Sequence, residues 1–338
     1  MSLPRILLNA ARAATVATAR RFRHGPLLPG WSFPFEVKVA VFRTTMSHIV
    51  TLPPPEQRAL MGGMPLAPEP ALAQVRREPV SAGGVPGEWF IPKDAPDGGP
   101  VFLYFHGGGY VIGSVRSAAP SLAKLAVSCG ARVLAIDYRL APEHPYPAAV
   151  DDAVAAYQWL LTSGFPPARI TLGGDSAGGG LTVSTLLALR DSGAPLPAGG
   201  VLISPWLDLS CTSASCAANS KYDVLPAPEN VRRWARAYAA GRDLKDARIS
   251  PLYAEVHGLP PLLIHAGDAE CLADDATRFE AKARAAGVQV ELRMWKEMVH
   301  IFQLVGGLTP LAEESFREMG AFVRKVTARA SPTAEAAG

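Results

Sequence analysis

Cysteine is scarce in this chain. Four occur in 338 residues, at Cys129, Cys211, Cys216 and Cys271, and none is spaced C-x-x-C. That excludes a zinc ribbon and a disulfide framework, and it predicts thiols in a reducing, cytoplasmic compartment. An excess of one charge sign is also lacking. The net charge is only +3, and no Lys/Arg run is interleaved with aromatics, so nucleic acid is not an expected partner. A membrane span is not expected either. The low-charge run from Ile170 to Leu189 is long enough, but it is full of glycine, serine and threonine and holds Asp175. Acid is missing from residues 1–35, which carry Arg5, Arg12, Arg20, Arg21 and Arg23. Such a stretch reads as an Arg-rich transit peptide or as a basic helix. The arginines interrupt every apolar run, so no secretory core forms, and a structural helix is the expectation. No internal repeat is visible. The spacing G-x-x-x-x-G-K is absent, as is G-x-G-x-x-G with its distal acid, so no phosphate loop is predicted.

Short apolar runs alternating with helical stretches are abundant. After an irregular-to-helical start punctuated by Pro4, Pro26, Pro29, Pro34 and Pro53-Pro54-Pro55, residues 62–70 read as a linker. Residues 73–80 and 85–91 then read as a hairpin closed by 81–84. Further strands are expected at 101–105, 132–138, 170–173, 201–204, 261–266 and 288–295. Helices are expected at 117–129, 146–161, 177–190, 273–286 and from Thr309 onward. Alternation of this kind predicts an α/β fold with a mostly parallel sheet covered on both faces, and sites at the carboxyl ends of its strands. More than fifty residues between Ser204 and Pro261 break the alternation. They carry one helical run, 229–240, and read as an insertion over that edge.

The chemistry gathers at those strand ends. Gly174-Asp175-Ser176-Ala177-Gly178 is a G-x-S-x-G pentapeptide between a strand and a helix. A serine there sits on a sharp turn, with the Ala177 N–H at a helix N-terminus beside it. His106-Gly107-Gly108-Gly109 follows the strand at 101–105. Its side-chain-free backbone can bring N–H groups against a substrate oxygen, so Gly108, Gly109 and Ala177 are the candidate oxyanion donors. His300, after the last strand, is the candidate base, since chain order in such sites runs Ser, acid, His. Asp268, Glu270 and Asp274 all follow the strand at 261–266, and each could orient the imidazole. His265, inside an apolar strand, reads as buried, and His106 as structural.

These residues resemble the bacterial hormone-sensitive-lipase-like esterases. The resemblance rests on His106-Gly107-Gly108-Gly109, on the run Asp137-Tyr138-Arg139-Leu140-Ala141-Pro142-Glu143-His144-Pro145-Tyr146-Pro147-Ala148, and on Gly174-Asp175-Ser176-Ala177-Gly178. It covers roughly residues 72–330. It implies an α/β-hydrolase fold, and with the insertion the expected layout is 1–70 as the first part of a helical cap, 71–204 and 256–330 as the core, 205–255 as the cap insertion and 331–338 as a flexible tail. It implies a cofactor-independent carboxylesterase acting on short- to medium-chain acyl esters. Aligning the family's acid motif on Glu270-Cys271-Leu272-Ala273-Asp274-Asp275 puts the acid at Glu270, with Asp268 as the alternative. The motif's Pro and Arg are missing and Glu replaces Asp. The expected triad is therefore Ser176, His300 and Glu270. Amide hydrolysis is an alternative use of the same machinery. A hormone receptor of the gibberellin type, which resembles the family but lacks the histidine, is a distant one. The Arg139–Glu143 pair is expected to brace the oxyanion turn. Trp31, Phe33, Phe35, Tyr110, Trp206 and Trp234 are expected as apolar pocket or cap residues. The final strand has an edge free to pair, which predicts a homodimer.

Overall fold

The computed structural model describes residues 3–64, 69–305 and 309–328. Three helices come first: α1 (Leu3–His24), α2 (Phe33–Ile49) and α3 (Pro54–Gly63). Pro26 and Pro29 break the chain between α1 and α2 as expected, but other prolines begin helices. Pro34 opens α2, and Pro54 and Pro55 open α3. A proline in the first turn sacrifices no helical hydrogen bond, and its fixed φ already suits the helix. Glu36, the first acid in the chain, is buried and receives the guanidinium groups of Arg20 and Arg21. The arginines of the basic segment thus fasten α1 to α2. Of the expected linker, residues 65–68 lie outside the described residues, as does the tail 331–338.

The hairpin β1 (Val75–Ala82) and β2 (Val85–Pro92) turns on Gly83-Gly84 alone. Ser81 and Ala82 stay in the ladder because two glycines suffice for a two-residue turn. The chain then alternates through β3 (Val101–Phe105), α4 (Val115–Cys129), β4 (Arg132–Ile136), α5 (Ala148–Thr162), β5 (Ile170–Asp175), α6 (Ala177–Asp191) and β6 (Gly199–Ile203). The insertion carries α7 (Ala214–Ala218) and α8 (Pro228–Ala239). The chain ends through β7 (Leu262–Gly267), α9 (Ala273–Ala285), β8 (Val290–Trp295), α10 (Phe302–Val305) and α11 (Pro310–Ala328).

The eight strands form one sheet in the order β1-β2-β4-β3-β5-β6-β7-β8, antiparallel at β1, β2 and β4 and parallel from β4 onward. Alternate residues of the central strands face opposite layers. Phe102, Tyr104, Val133 and Val201 pack with α4 and α11, whereas Leu103, Phe105, Leu134 and Leu202 pack with α5 and α6. Both faces are covered, which explains why β3, β5, β6 and β7 are buried along their whole length.

One expectation about side chains is corrected here. Arg139 does not pair with Glu143. It binds Asp152 of α5, while Glu143 takes Arg58 of α3. Arg139 directly follows β4 and is drawn to the helix packed on the sheet, which turns it away from Glu143. Trp31 and Phe35 pack with Trp295, Met298 and Phe302 in a separate apolar cluster, and Phe33 is 41% exposed.

Candidate active site

Ser176 occupies the one-residue turn between β5 and α6, with φ 55° and ψ −117°. A non-glycine residue held there stores roughly 1–3 kcal/mol of strain. Three backbone bonds impose it. The Ser176 N–H donates to Ile203 O at 2.8 Å, and its carbonyl accepts from Gly180 N at 3.1 Å and Trp206 N at 2.9 Å. Small neighbours make the turn possible, since any Cβ on Gly178 would collide with the Phe105 carbonyl. The Ser176 side chain makes no capping bond and opens on a cavity of about 290 Å³.

His106 to Gly109 form the cavity floor beside it. Asp175, buried at the end of β5, accepts from the Tyr104 hydroxyl at 2.6 Å and from the Gly107 N–H at 2.9 Å. Burial raises its pKa, against the effect of those two bonds. The Tyr138 hydroxyl donates to His106 O at 2.7 Å, and its ring stacks on the His106 imidazole at 4.3 Å. Arg58 reaches in from α3 and donates to Val111 O and Ala141 O. The loop is therefore rigid, and His106 is a wall of the cavity as well as a structural residue. Gly109 has φ +62°, and a Cβ there would lie 2.6 Å from the Trp234 ring. Among the described residues, the N–H groups of Gly108, Gly109 and Ala177 find no acceptor.

His300 follows β8 through a turn in which Glu297 has φ 61°. That turn is pinned from the N-terminal segment, because Trp31 Nε1 donates to Glu297 O at 2.6 Å. The His300 ring is buried and lines the cavity with Ser176. Its Nδ1 lies 3.9 Å from Glu270 Oε1, and neither atom has another partner. That spacing is longer than a hydrogen bond and within reach of one on slight closure. The other carboxylate oxygen, Oε2, is fixed by the Ser204 hydroxyl at 2.7 Å and the Gly267 N–H at 3.0 Å. Ser204 in turn accepts from Ile301 N at 3.0 Å. Asp268 points elsewhere, accepting from the Glu297 N–H. Asp274 accepts from Ser215 N at 2.9 Å. Burial alone would lower the His300 pKa, but the Glu270, Asp223 and Asp175 carboxylates outweigh it, and the net direction is upward.

The cavity walls come from the N-terminal helices and the insertion. Phe42, Met46, Met61 and Met64 line one side, and Trp206, Val231 and Trp234 the other. Trp234 Nε1 donates to Gln57 Oε1 at 3.0 Å, which ties α8 to α3. Tyr110, expected as a pocket or cap residue, is buried in the main core against Tyr238, with ring centroids 3.9 Å apart. Sequence reading missed Ser204, Asp223 and Gln57. Ser204 carried a signal, being a polar residue at the carboxyl end of an apolar strand. Asp223 and Gln57 carried none, since their partners lie 48 to 177 positions away. Two residues that line the cavity, Ser176 and Ile301, take positive φ, as do Tyr110, Ser204 and Glu297 in the loops that carry the site.

Residues 102–304 match the alpha/beta hydrolase fold family. An acetyl-hydrolase of Streptomyces hygroscopicus is 45% identical over 248 residues, 73% of this chain and 82% of that protein. An esterase of Acinetobacter venetianus is 35% identical over 259 residues, 76% of this chain and 84% of that protein. Among solved structures, an esterase from the bacterial hormone-sensitive lipase family superposes with a TM-score of 0.80 at 42% identity. The match covers 88% of this chain and 99% of that one.

Proposed function

The chain belongs to the α/β-hydrolase fold family and is a hormone-sensitive-lipase-like carboxylesterase, and from that premise we propose how its residues divide the work. Ser176 attacks the ester carbonyl. His300 takes the hydroxyl proton and passes it to the leaving alcohol, and Glu270 orients the imidazole. The N–H groups of Gly108, Gly109 and Ala177 receive the oxyanion, and water then cleaves the acyl-enzyme by the same route. The observation that carries this assignment is a single cavity onto which Ser176 and His300 open, with Glu270 facing the far nitrogen of the imidazole.

The helices of residues 1–70 and the insertion 205–255 act as a cap over the cavity, as supported by the Gln57–Trp234 bond and by the cavity walls they supply. Residues 71–204 and 256–330 are the catalytic core. The substrates are short- to medium-chain acyl esters. A cavity of about 290 Å³ bounded by apolar side chains accepts a modest acyl group, and flexible methionines let it adapt. Turnover of p-nitrophenyl esters from acetate to palmitate is expected to be greatest for the short and medium chains. A rate that keeps climbing to palmitate would overturn the chain-length assignment.

A cytoplasmic setting, supported by four buried thiols, completes this reading. Among the described residues, no helix is long and apolar enough to cross a membrane. Strand β8 ends the sheet, so its outer edge is open to a second copy by antiparallel pairing. Sedimentation at micromolar concentration is expected to show a dimer, and a monomer throughout would rule the pairing out.

A further inference from the structure

One buried carboxylate beside the site has no part in the scheme above. Asp223 lies between α7 and α8 and is fully buried. Its Oδ1 accepts from the His300 N–H at 2.9 Å and from the Val224 N–H at 2.7 Å, and its Oδ2 accepts from the Cys271 N–H at 2.6 Å. Cys271 is the residue after Glu270. A single side chain from the insertion therefore joins the loop that carries the base to the loop that carries the acid. Asn219 reinforces the join. Its side-chain amide donates to Asp268 O at 3.0 Å and Glu270 O at 2.9 Å, and its carbonyl accepts from Asp223 N at 3.0 Å.

We infer that Asp223 is a positioning residue for ester hydrolysis, locking the backbone of His300 to the backbone beside Glu270 and adding a further fixed negative charge to the surroundings of the imidazole. The inference rests on the assignment of His300 and Glu270 proposed above. The proton of Ser176 still travels only to His300 and on to the leaving alcohol, and Asp223 neither gains nor loses one. Its three acceptor bonds fix where the imidazole starts from, so that the gap to Glu270 closes by side-chain motion alone. Its charge favours the imidazolium that forms when Ser176 attacks. A buried carboxylate accepting three backbone N–H groups is costly to desolvate unless its bonds and neighbouring cations offset it. The charged or titratable groups facing it are His300, Glu270 and the Cys271 thiol from the two loops, and Arg43 from α2. Those facing His300 are Glu270, Asp223 and Asp175.

The test uses the full chain and p-nitrophenyl butyrate. Only neutral His300 accepts the proton, and the surrounding carboxylates favour its charged form. The acidic limb of kcat/KM in the parent is therefore expected above about pH 6.5, the ordinary imidazole value. Asp223→Asn removes the charge and turns an amide NH₂ toward a backbone N–H. It is expected to lower kcat about 10- to 100-fold, as for loss of a hydrogen bond to a charged group, with KM little changed. It also moves the acidic limb to lower pH. Asp223→Glu keeps the charge but displaces the bonds, so kcat falls while the limb stays in place.

NMR titration of His300 in Ser176→Ala protein, with and without Asp223→Asn, reads the imidazole without any turnover. Failure of the hydrolysis scheme would appear as absent Ser176-dependent turnover and leaves that titration readable. An Asn variant whose limb and His300 titration match the parent overturns the inference, and so does a Glu variant with the parent's kcat. Should the Asn variant not fold, the Glu variant decides alone by its kcat.

Discussion

Ser176→Ala is expected to lower turnover of p-nitrophenyl butyrate on the order of 10⁶-fold, about 8 kcal/mol of barrier, without loss of fold. The hydroxyl makes no bond that holds the turn. The strained backbone is imposed instead by Ile203, Gly180 and Trp206, whose bonds go to main-chain atoms of Ser176 and survive the change. Alanine therefore inherits the same conformation with the same strain. The oxyanion N–H groups and the cavity also remain, so a residual rate above that of water is expected. Steady-state rates with circular dichroism as the control for folding make the measurement. A folded variant keeping more than about one hundredth of the parent rate would remove Ser176 from the nucleophile's role.

Glu270→Gln should cost roughly 10⁴-fold in kcat through the tautomer of His300. Oε2 of Glu270 is held by two donors, the Ser204 hydroxyl and the Gly267 N–H. A glutamine must therefore keep its carbonyl oxygen there and turn its NH₂ toward His300 Nδ1. Nδ1 then becomes an acceptor and the ring proton moves to Nε2, the atom that has to take the proton of Ser176. Asp268→Asn is the control. Its bond to the Glu297 N–H needs only an oxygen acceptor, which asparagine supplies, so the loss is expected to stay within about tenfold. Separate kcat measurements on the two variants decide between them. If Asp268→Asn is the inactive protein, the assignment of the acid is wrong.

The sheet was legible in the sequence because each core strand is a mostly apolar run, and burial on both faces leaves such runs little other use. Predicted and observed strand ends differ by no more than two residues. Proline misled at the N-terminus, because in Pro34 and Pro54 it marks where helices begin. The oxyanion loop and Ser176 were legible because their chemistry demands contiguous small residues. The acid was not separable from its neighbours, since Asp268 and Glu270 share a loop and only the direction of each side chain tells them apart. Asp223 could not be found at all. Its role comes from the N–H groups of Cys271 and His300, brought to it by folding, and an isolated aspartate in an insertion has no local pattern.

Of the seven described non-glycine residues at positive φ, five lie in the loops that carry the site, with Cys211 and Ala240 the exceptions. Those five are where a search for greater thermal stability would first find its gains, since glycine at such positions relaxes the chain. They are also where such gains undermine the enzyme, because the same bent backbone aims Ser176, frames His300 and sets Ser204 against Glu270. Resistance to heat is therefore better sought in the outer helices and in the layer beneath the sheet, and heat tolerance gained at these five turns is expected to be lost again as turnover.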